Sequence, residues 1–318
     1  MWRPDAEVSG PVRPVEADIR SLNQAFSEAF TDRYRRDGLP GVRVPYLDPA
    51  IWRYAITDAG EGAMVWRDRH GRVAAFNLAH RSGAEGWMGP LAVRPDLQGR
   101  GLGTEVVRAA TTWLLESGAR TIGLETMPRT VENIGFYGRL GFVPGALTVT
   151  MVRDSPRRGT ARGERLDGHP KPEAFIAECG ELLEAMAPGI DFAREIRLTR
   201  AHGLGDVSLV RRGRRVAAWA LWHSAPLAEG RPGEEARVLK VVAEDGESLE
   251  RLVAVVLSHA VDAGRRRVGL RVQTARAEPF LRLLELGWRV HWTDLRMTLA
   301  SHPESLPARG VVLSNWEV

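Results

Sequence analysis

The chain repeats itself, and this internal repeat restricts the folds open to it more than any other feature. Residues 72–80 and 215–223 share six identities in nine positions, at an offset of 143. Further along, the offset becomes 146 and stays fixed, so that Met151 pairs with Met297. Colinear similarity over a domain length indicates that one fold has been duplicated, because the period is too long for a solenoid.

The repeat predicts two lobes, residues 1–152 and residues 165–300. The polar segment 153–164 between them contains four Arg, two Gly and one Pro, which is typical of a linker. The tail, residues 301–318, ends in an apolar stretch that predicts a docked strand, on a lobe that the sequence leaves open. Strand-like and helix-like patterns alternate within each lobe. The predicted fold class is therefore α/β, with a mixed sheet covered by helices.

The composition fits a protein of a reducing, aqueous compartment. The 318 residues include one cysteine, which excludes an intrachain disulfide, and no apolar run long enough to span a bilayer. We therefore expect a cytoplasmic protein with no membrane partner. The net charge of +4 comes from arginines scattered among acidic residues, which argues against a nucleic-acid partner. A monomer and a homodimer both remain open.

A glycine-rich turn, residues 98–103, follows a strand-like segment and precedes a helix-like one. Glycine lets the backbone turn sharply and approach a ligand closely. The N–H groups at a helix start, together with the helix dipole, attract an anion. The segment has no lysine for a Walker A motif, and its glycines lie two apart, unlike a dinucleotide fingerprint. It is typical of a diphosphate-binding turn.

Two motifs carry a family resemblance. The spacing Val-x-Pro-x-x-Gln-Gly-x-Gly-x-Gly at residues 93–103 resembles the central motif of the GNAT superfamily of acetyl-CoA-dependent N-acetyltransferases. Asn133, Tyr137, Gly141 and Phe142 resemble its next motif, in the expected order. The resemblance implies two tandem GNAT-like lobes and acetyl-CoA as cosubstrate without a metal. It also implies an amine acceptor, which is a small molecule or a peptide.

The resemblance also implies roles for individual residues. Asn133 would bond the pantetheine arm, and Tyr137 would protonate the departing thiolate as general acid. Main-chain groups would hold the cofactor at two places. The pantetheine arm would pair with Leu91, Ala92 and Val93, and the pyrophosphate would bind the N–H groups of Gln98, Gly99, Arg100, Gly101, Leu102, Gly103 and Thr104.

The general base and the acceptor pocket stay open at this point. Glu85 and Glu125 are the candidate carboxylates, and a water chain is the alternative. His80 has a suitable intrinsic pKa, but a histidine at the same position of the second lobe favours a structural role. Acceptor-pocket candidates follow the first helix and could suit an anionic amine such as an amino acid, or could belong to a solvated loop: Tyr34, Arg35 and Tyr46. A peptide amine, an aminoglycoside and a polyamine also remain open.

The second lobe has lost the residues that carry these roles. In the repeat register, Tyr137 aligns with Leu283 and Asn133 aligns with Pro279. The counterpart of the glycine-rich turn has one glycine and three carboxylates, which disfavour a diphosphate. We therefore predict a degenerate second lobe and one active site in each chain. A catalytically silent acyl-CoA sensor or scaffold is the alternative function.

Overall fold

The computed structural model describes residues 8–316. The helices are α1 (Ile19–Arg36), α2 (Pro49–Ala59), α3 (Leu102–Glu116), α4 (Val131–Arg139), α5 (Pro172–Met186), α6 (Ala193–Ala201), α7 (Gly246–Asp262) and α8 (Ala277–Glu285). The strands are β1 (Val8–Val12), β2 (Ala63–Asp68), β3 (Val73–Ser82), β4 (Glu85–Val93), β5 (Thr121–Thr126), β6 (Phe142–Asp154), β7 (Glu164–Arg165), β8 (Gly205–Arg212), β9 (Arg215–His223), β10 (Glu235–Ala243), β11 (Arg267–Gln273), β12 (Arg289–Leu299) and β13 (Val311–Ser314).

Within the described residues, thirteen strands form one mixed sheet. Its order is β1-β2-β3-β4-β5-β12-β6-β11-β10-β9-β8-β7, and β13 pairs with β10 off this path. The pairs β4–β5 and β10–β11 are parallel, and the neighbouring pairs are antiparallel. The repeated segments form equivalent hairpins, β2–β3 and β8–β9. The predicted α/β class with a mixed sheet is confirmed.

The two lobes exchange their last long strands. Consecutive strands usually pair with each other, but β12 of the second lobe lies between β5 and β6 of the first. β6 in turn pairs with β11. Met297 of β12 therefore packs in the first-lobe core with Leu124, whereas Met151 of β6 packs in the second-lobe core with Leu270. The predicted boundaries at residues 152 and 165 stay a prediction, but neither lobe completes its core within its own range.

Helices cover both faces of the sheet in each lobe. In the first lobe, α1 and α2 pack on one face and α3 and α4 pack on the other. In α3 the buried residues recur at helical spacing, which gives the helix the apolar stripe that the core requires: Leu102, Val106, Val107, Ala110 and Leu114. This arrangement leaves the ends of β4 and β5 between two helical layers.

The segment between the lobes and the tail both pack against the sheet layers. In the predicted linker, the N–H of Ala161 donates to Ser258 Oγ of α7 at 3.1 Å. The tail forms β13, antiparallel to β10, so it docks on the second lobe. From residue 8 to residue 316, no helix combines the length and the apolar character needed to cross a bilayer.

A buried charge network fixes the exchanged strand β12. The Arg296 side chain is 2% exposed and donates to Glu125 Oε1 of β5 from Nε at 2.9 Å and from Nη2 at 2.8 Å. It also donates to Glu304 Oε1 at 2.6 Å. Arg271 of β11 donates to Glu125 Oε2 at 2.8 Å and to Asp294 Oδ2 at 2.7 Å. Only the exchanged strand order brings these charges together, so the network favours that order.

We expect Arg296→Met to destabilise the whole protein strongly. Removing one partner of a buried ion pair leaves uncompensated charge, which costs about 3–5 kcal/mol of unfolding free energy. The measurement is equilibrium denaturation in urea. The matched control on the same strand is Arg289→Met, whose pair with Asp154 is exposed on both sides, so its cost should stay below about 1 kcal/mol. Equal effects of the two variants would contradict the assignment.

Candidate active site

The site begins where β4 and β5 part. The two strands pair in parallel only from Glu85 to Met88, opposite Thr121 to Leu124, and then diverge. On its other side, β4 stays paired with β3 up to its end. The result is a wedge-shaped gap between β4 and β5, open at the carboxyl ends of both strands.

Alternation along β4 decides which main-chain groups face this gap. The N–H of Arg94 donates to Ala74 O of β3 at 2.9 Å, and groups two residues apart point to the same side of a strand. Ala92 therefore faces β3, whereas Leu91 and Val93 face the gap. The expectation for Ala92 is thus corrected, because its N–H and C=O belong to the β3 ladder. Pro90, which precedes Leu91, has no N–H to donate.

The glycine-rich turn lies at the mouth of the gap and carries unused donors. Gly99 and Gly101 have φ of +75° and +90°, which side-chain-bearing residues rarely adopt. α3 starts directly after Gly101, with no side-chain cap. Within residues 8–316, five consecutive N–H groups, those of residues 99–103, donate to no protein acceptor. Such a row of donors at a helix start suits a diphosphate.

At both ends of the predicted pyrophosphate-binding segment the N–H group is already bonded to the protein, which corrects the expectation for Gln98 and Thr104. The N–H of Gln98 donates to Pro95 O, and the N–H of Thr104 donates to Gly101 O at 3.0 Å. The side-chain Nε2 of Gln98 instead donates to Val93 O at 2.9 Å. Gln98 thus braces the turn against the end of β4, and its N–H is not free for an anion.

α4 brings the second motif to the gap. Tyr137 is buried and packs with Met88 and Leu124, the last paired residues of β4 and β5. Burial raises the pKa of Tyr137 to about 12, so its hydroxyl keeps its proton at neutral pH. Asn133 is half-buried one turn earlier, and its Nδ2 lies 3.4 Å from Thr126 Oγ1 of β5. Both side chains are therefore held at the edge of the gap.

The candidate base carboxylates lie at different ends of the paired region. Glu85 is the first paired residue of β4, at the end away from the gap, and accepts a hydrogen bond from Ser314 Oγ at 2.5 Å. Glu125 is the first β5 residue beyond the last pair, but its side chain is 2% exposed and accepts from Thr148, Arg271 and Arg296. Burial by itself would raise the pKa of Glu125, but the two arginines outweigh burial and hold this pKa below its usual range.

The two repeated histidines are buried and hydrogen-bonded within the fold. His80 Nδ1 lies 2.6 Å from Asp58 Oδ2, and its ring stacks on Trp87. His223 Nε2 bonds Thr199 Oγ1 at 2.8 Å. Burial lowers the pKa of His223 well below its usual value, so this ring stays neutral. Both rings are fully buried.

The three acceptor-pocket candidates lie in different surroundings. Tyr34 at the end of α1 is half-buried and meets Trp292 of β12 edge to face, with ring centroids 6.4 Å apart. Arg35 is exposed and pairs with Asp32 at 2.6 Å. The main-chain O of Tyr46 accepts from Glu229 N at 2.9 Å, which ties its loop to the second lobe. Only Tyr34 meets the exchanged strand.

The sequence alone missed the second-lobe residues at this site. Arg296 and Trp292 come from β12, and Trp316 of the tail packs against Gly123 of β5. The sequence feature that could have indicated a close neighbour here is Gly123, because a glycine inside a strand often marks a place where another group approaches closely. A Cβ at this position would lie 2.2 Å from the indole.

The sequence profile of the Acetyltransferase (GNAT) family matches residues 21–142, which include the turn, Asn133 and Tyr137. The first lobe is thus similar to GNAT acetyltransferases over most of its length. A Bacillus subtilis relative, the uncharacterised N-acetyltransferase YobR, is 32% identical over 59 residues, which are 19% of this chain and 24% of YobR. The chain thus matches about a quarter of the length of that curated relative.

Solved GNAT structures share the fold of the whole chain. A GCN5-related N-acetyltransferase from Sphaerobacter thermophilus superposes with a TM-score of 0.62 at 15% identity, covering 99% of both chains. A tandem GNAT protein from the clavulanic acid biosynthesis pathway gives 0.60 at 13% identity, over 94% of this chain and 100% of its own. Saccharomyces cerevisiae N-myristoyltransferase superposes with a TM-score of 0.65 at 10% identity, over 98% of this chain and 84% of its own. The predicted tandem GNAT-like fold is confirmed.

We expect Gly101→Ala to weaken acetyl-CoA binding about tenfold. A Cβ at Gly101 meets no neighbour, so the only cost is backbone strain of about 1–2 kcal/mol, which the turn relieves by moving its free N–H groups. Isothermal titration calorimetry measures the Kd. The matched control is Gly118→Ala at the other end of α3, where φ is +84° and space is equally open. A similar loss in both variants would refute a local role for the turn.

Proposed function

We propose that the first lobe transfers an acetyl group from acetyl-CoA to a primary amine. The observation that carries the proposal is the open gap between β4 and β5, with the free N–H row of residues 99–103 at its mouth and Tyr137 at its closed end. These features match two parts of an acyl-CoA molecule, its diphosphate and its thioester. A diphosphate needs the donors, and a thioester needs a proton source near its sulfur.

The main chain supplies the binding groups. The diphosphate binds the N–H groups of residues 99–103, where the α3 dipole adds to the attraction. The pantetheine arm pairs with the C=O of Leu91 and the N–H of Val93, which both face the gap, as an added strand would. Asn133 provides a side-chain amide beside the arm. We assign the N–H of Leu91 to the thioester carbonyl, where a fixed donor stabilises the developing negative charge on oxygen.

Tyr137 acts as the general acid. The neutral amine nitrogen attacks the carbonyl carbon, the C–N bond forms, and the C–S bond breaks to release a thiolate. The nitrogen then loses its extra proton to water and becomes the neutral amide. The Tyr137 hydroxyl donates its proton to that sulfur and later regains one from solvent. Because burial keeps this hydroxyl protonated at neutral pH, every molecule starts the reaction with the proton in place.

Glu125 positions other groups and does not accept the proton of the amine. Its carboxylate already accepts four hydrogen bonds, and its lowered pKa makes it a weak base. We therefore propose that the acceptor loses its proton to water, the alternative that the sequence left open. Arg33, Arg35 and Arg36 are each paired with acidic side chains, which weakens the case for an anionic acceptor.

The second lobe does not bind coenzyme A in this proposal. The space beyond the β10–β11 pairing holds β13, which bonds residues 240–243 of β10. The start of α7 is capped by Asp245, whose Oδ1 accepts from Ser248 N at 2.9 Å. A carboxylate thus occupies the position that an anion would need. Both features support the degenerate lobe predicted from the repeat.

Tyr137→Phe should lower kcat roughly 10²–10³-fold while the Kd for acetyl-CoA changes less than about threefold, because only the proton donor is lost. The assay is thiol release from acetyl-CoA with a panel of primary amines. Tyr54→Phe, another buried tyrosine, is the control and should turn over normally. A wild type that binds acetyl-CoA but responds to no amine would instead favour the silent sensor.

Calorimetric titration with acetyl-CoA should give a stoichiometry of one per chain. The physical reason is that β13 and Asp245 occupy the second-lobe positions. The Gly101→Ala variant should weaken this single event. Two equivalent binding events would overturn the assignment of the second lobe.

A further inference from the structure

The tail fills, in the second lobe, the place that stays open in the first. β10 and β11 pair in parallel through residues 235–238 and 267–270, as β4 and β5 do through 85–88 and 121–124. Beyond that point β13 takes the free side of β10, antiparallel to residues 240–243. The tail is therefore held by a ladder of main-chain bonds before it reaches the first lobe.

Buried polar contacts fix the course of the tail after β13. Lys240 Nζ donates to Ser314 Oγ at 2.8 Å and to Asn315 O at 3.1 Å. Ser314 Oγ donates to Glu85 Oε2 of the first lobe at 2.5 Å. The N–H of Asn315 donates to Leu239 O at 2.9 Å. With both lobes bonded to these residues, the next side chain, Trp316, has a defined position.

Trp316 covers the closed end of the gap on the face opposite α3. Its indole packs so closely on Gly123 that a Cβ there would lie 2.2 Å from Cζ3. The guanidinium carbon of Arg296 lies 3.8 Å from the ring centroid. The main-chain O of Trp316 is 3.9 Å from the position that a Cβ on Gly89 would take. Trp316 is 1% exposed, so its indole is enclosed by protein atoms beside Gly123, one residue before the last paired residue of β5.

On the α3 face, the same end is closed by Met88, Leu124 and Tyr137. In the proposed binding mode, an acyl group whose carbonyl lies beside Leu91 extends towards the end of the gap that these side chains and Trp316 enclose. We propose that Trp316 sets the length of the acyl chain that the site accepts, and restricts the donor to short acyl-CoA thioesters. This inference rests on the proposed function of the first lobe. An acetyl methyl fits, whereas further methylenes meet the indole.

The test is calorimetric binding of acetyl-, butyryl- and hexanoyl-CoA, which needs no acceptor. The wild type should bind acetyl-CoA at least about tenfold more tightly than hexanoyl-CoA. Trp316→Ala and Trp316→Leu should raise hexanoyl-CoA affinity relative to acetyl-CoA by about tenfold or more, as burial of roughly two methylene groups predicts. The leucine variant keeps an apolar side chain at the site. Trp288→Ala, a buried tryptophan of the second-lobe core, is the matched control and should keep the wild-type ratio.

Three results would overturn the inference. These are equal affinity of the wild type for the acetyl and hexanoyl thioesters, an unchanged ratio in both Trp316 variants, and an equal gain in the Trp288 control. None of them affects the proposed function, since acetyl-CoA still binds. A wild type that binds no acyl-CoA at all would overturn the proposed function itself.

Discussion

The guanidinium group of Arg296 joins the two lobes and the tail. A charge buried to this degree is costly unless its donors are satisfied. Here they are satisfied by Glu125 of the first lobe, by Glu304, and by the main-chain O of Ser314 in the tail. None of these partners lies on β12 itself. The position of the arginine therefore requires the exchanged strand order and the docked tail at the same time.

The exchange means that the site is built by both halves of the chain. β12 borders β5 on the side away from the gap, so the strand that carries Glu125 is held by second-lobe residues. Duplication makes this arrangement accessible, because Met151 and Met297 are equivalent in the repeat and each fills the core of the other lobe. A lobe cut out at residue 152 would lack the strand that completes its own core.

The two lobes differ at the equivalent place in their shared frame. In the first lobe, the turn before α3 has free N–H groups and no carboxylate. In the second, Asp245 caps α7 and β13 occupies the free side of β10. The chain satisfies its own backbone groups where the repeat has lost its glycines. It leaves them available where Gly99 and Gly101 keep the turn in a left-handed conformation.

The sequence by itself determined the duplication, the α/β class and the glycine-rich turn. It also determined that Asn133 and Tyr137 lie together on a later helix, α4. These depend on local patterns, namely helical spacing, positive-φ glycines and motif order. The direction of each main-chain group of β4 could be assigned only from the observed hydrogen bonds, and it removed Ala92 from the predicted contacts. Bonds to Pro95 O and Gly101 O removed the N–H groups of Gln98 and Thr104. Only the tertiary structure decided the strand exchange and the position of Trp316. The repeat makes the last strands of the two lobes similar, so local pattern cannot choose between them. The choice depends on buried charges and on Gly123, which meet only when distant segments pack together.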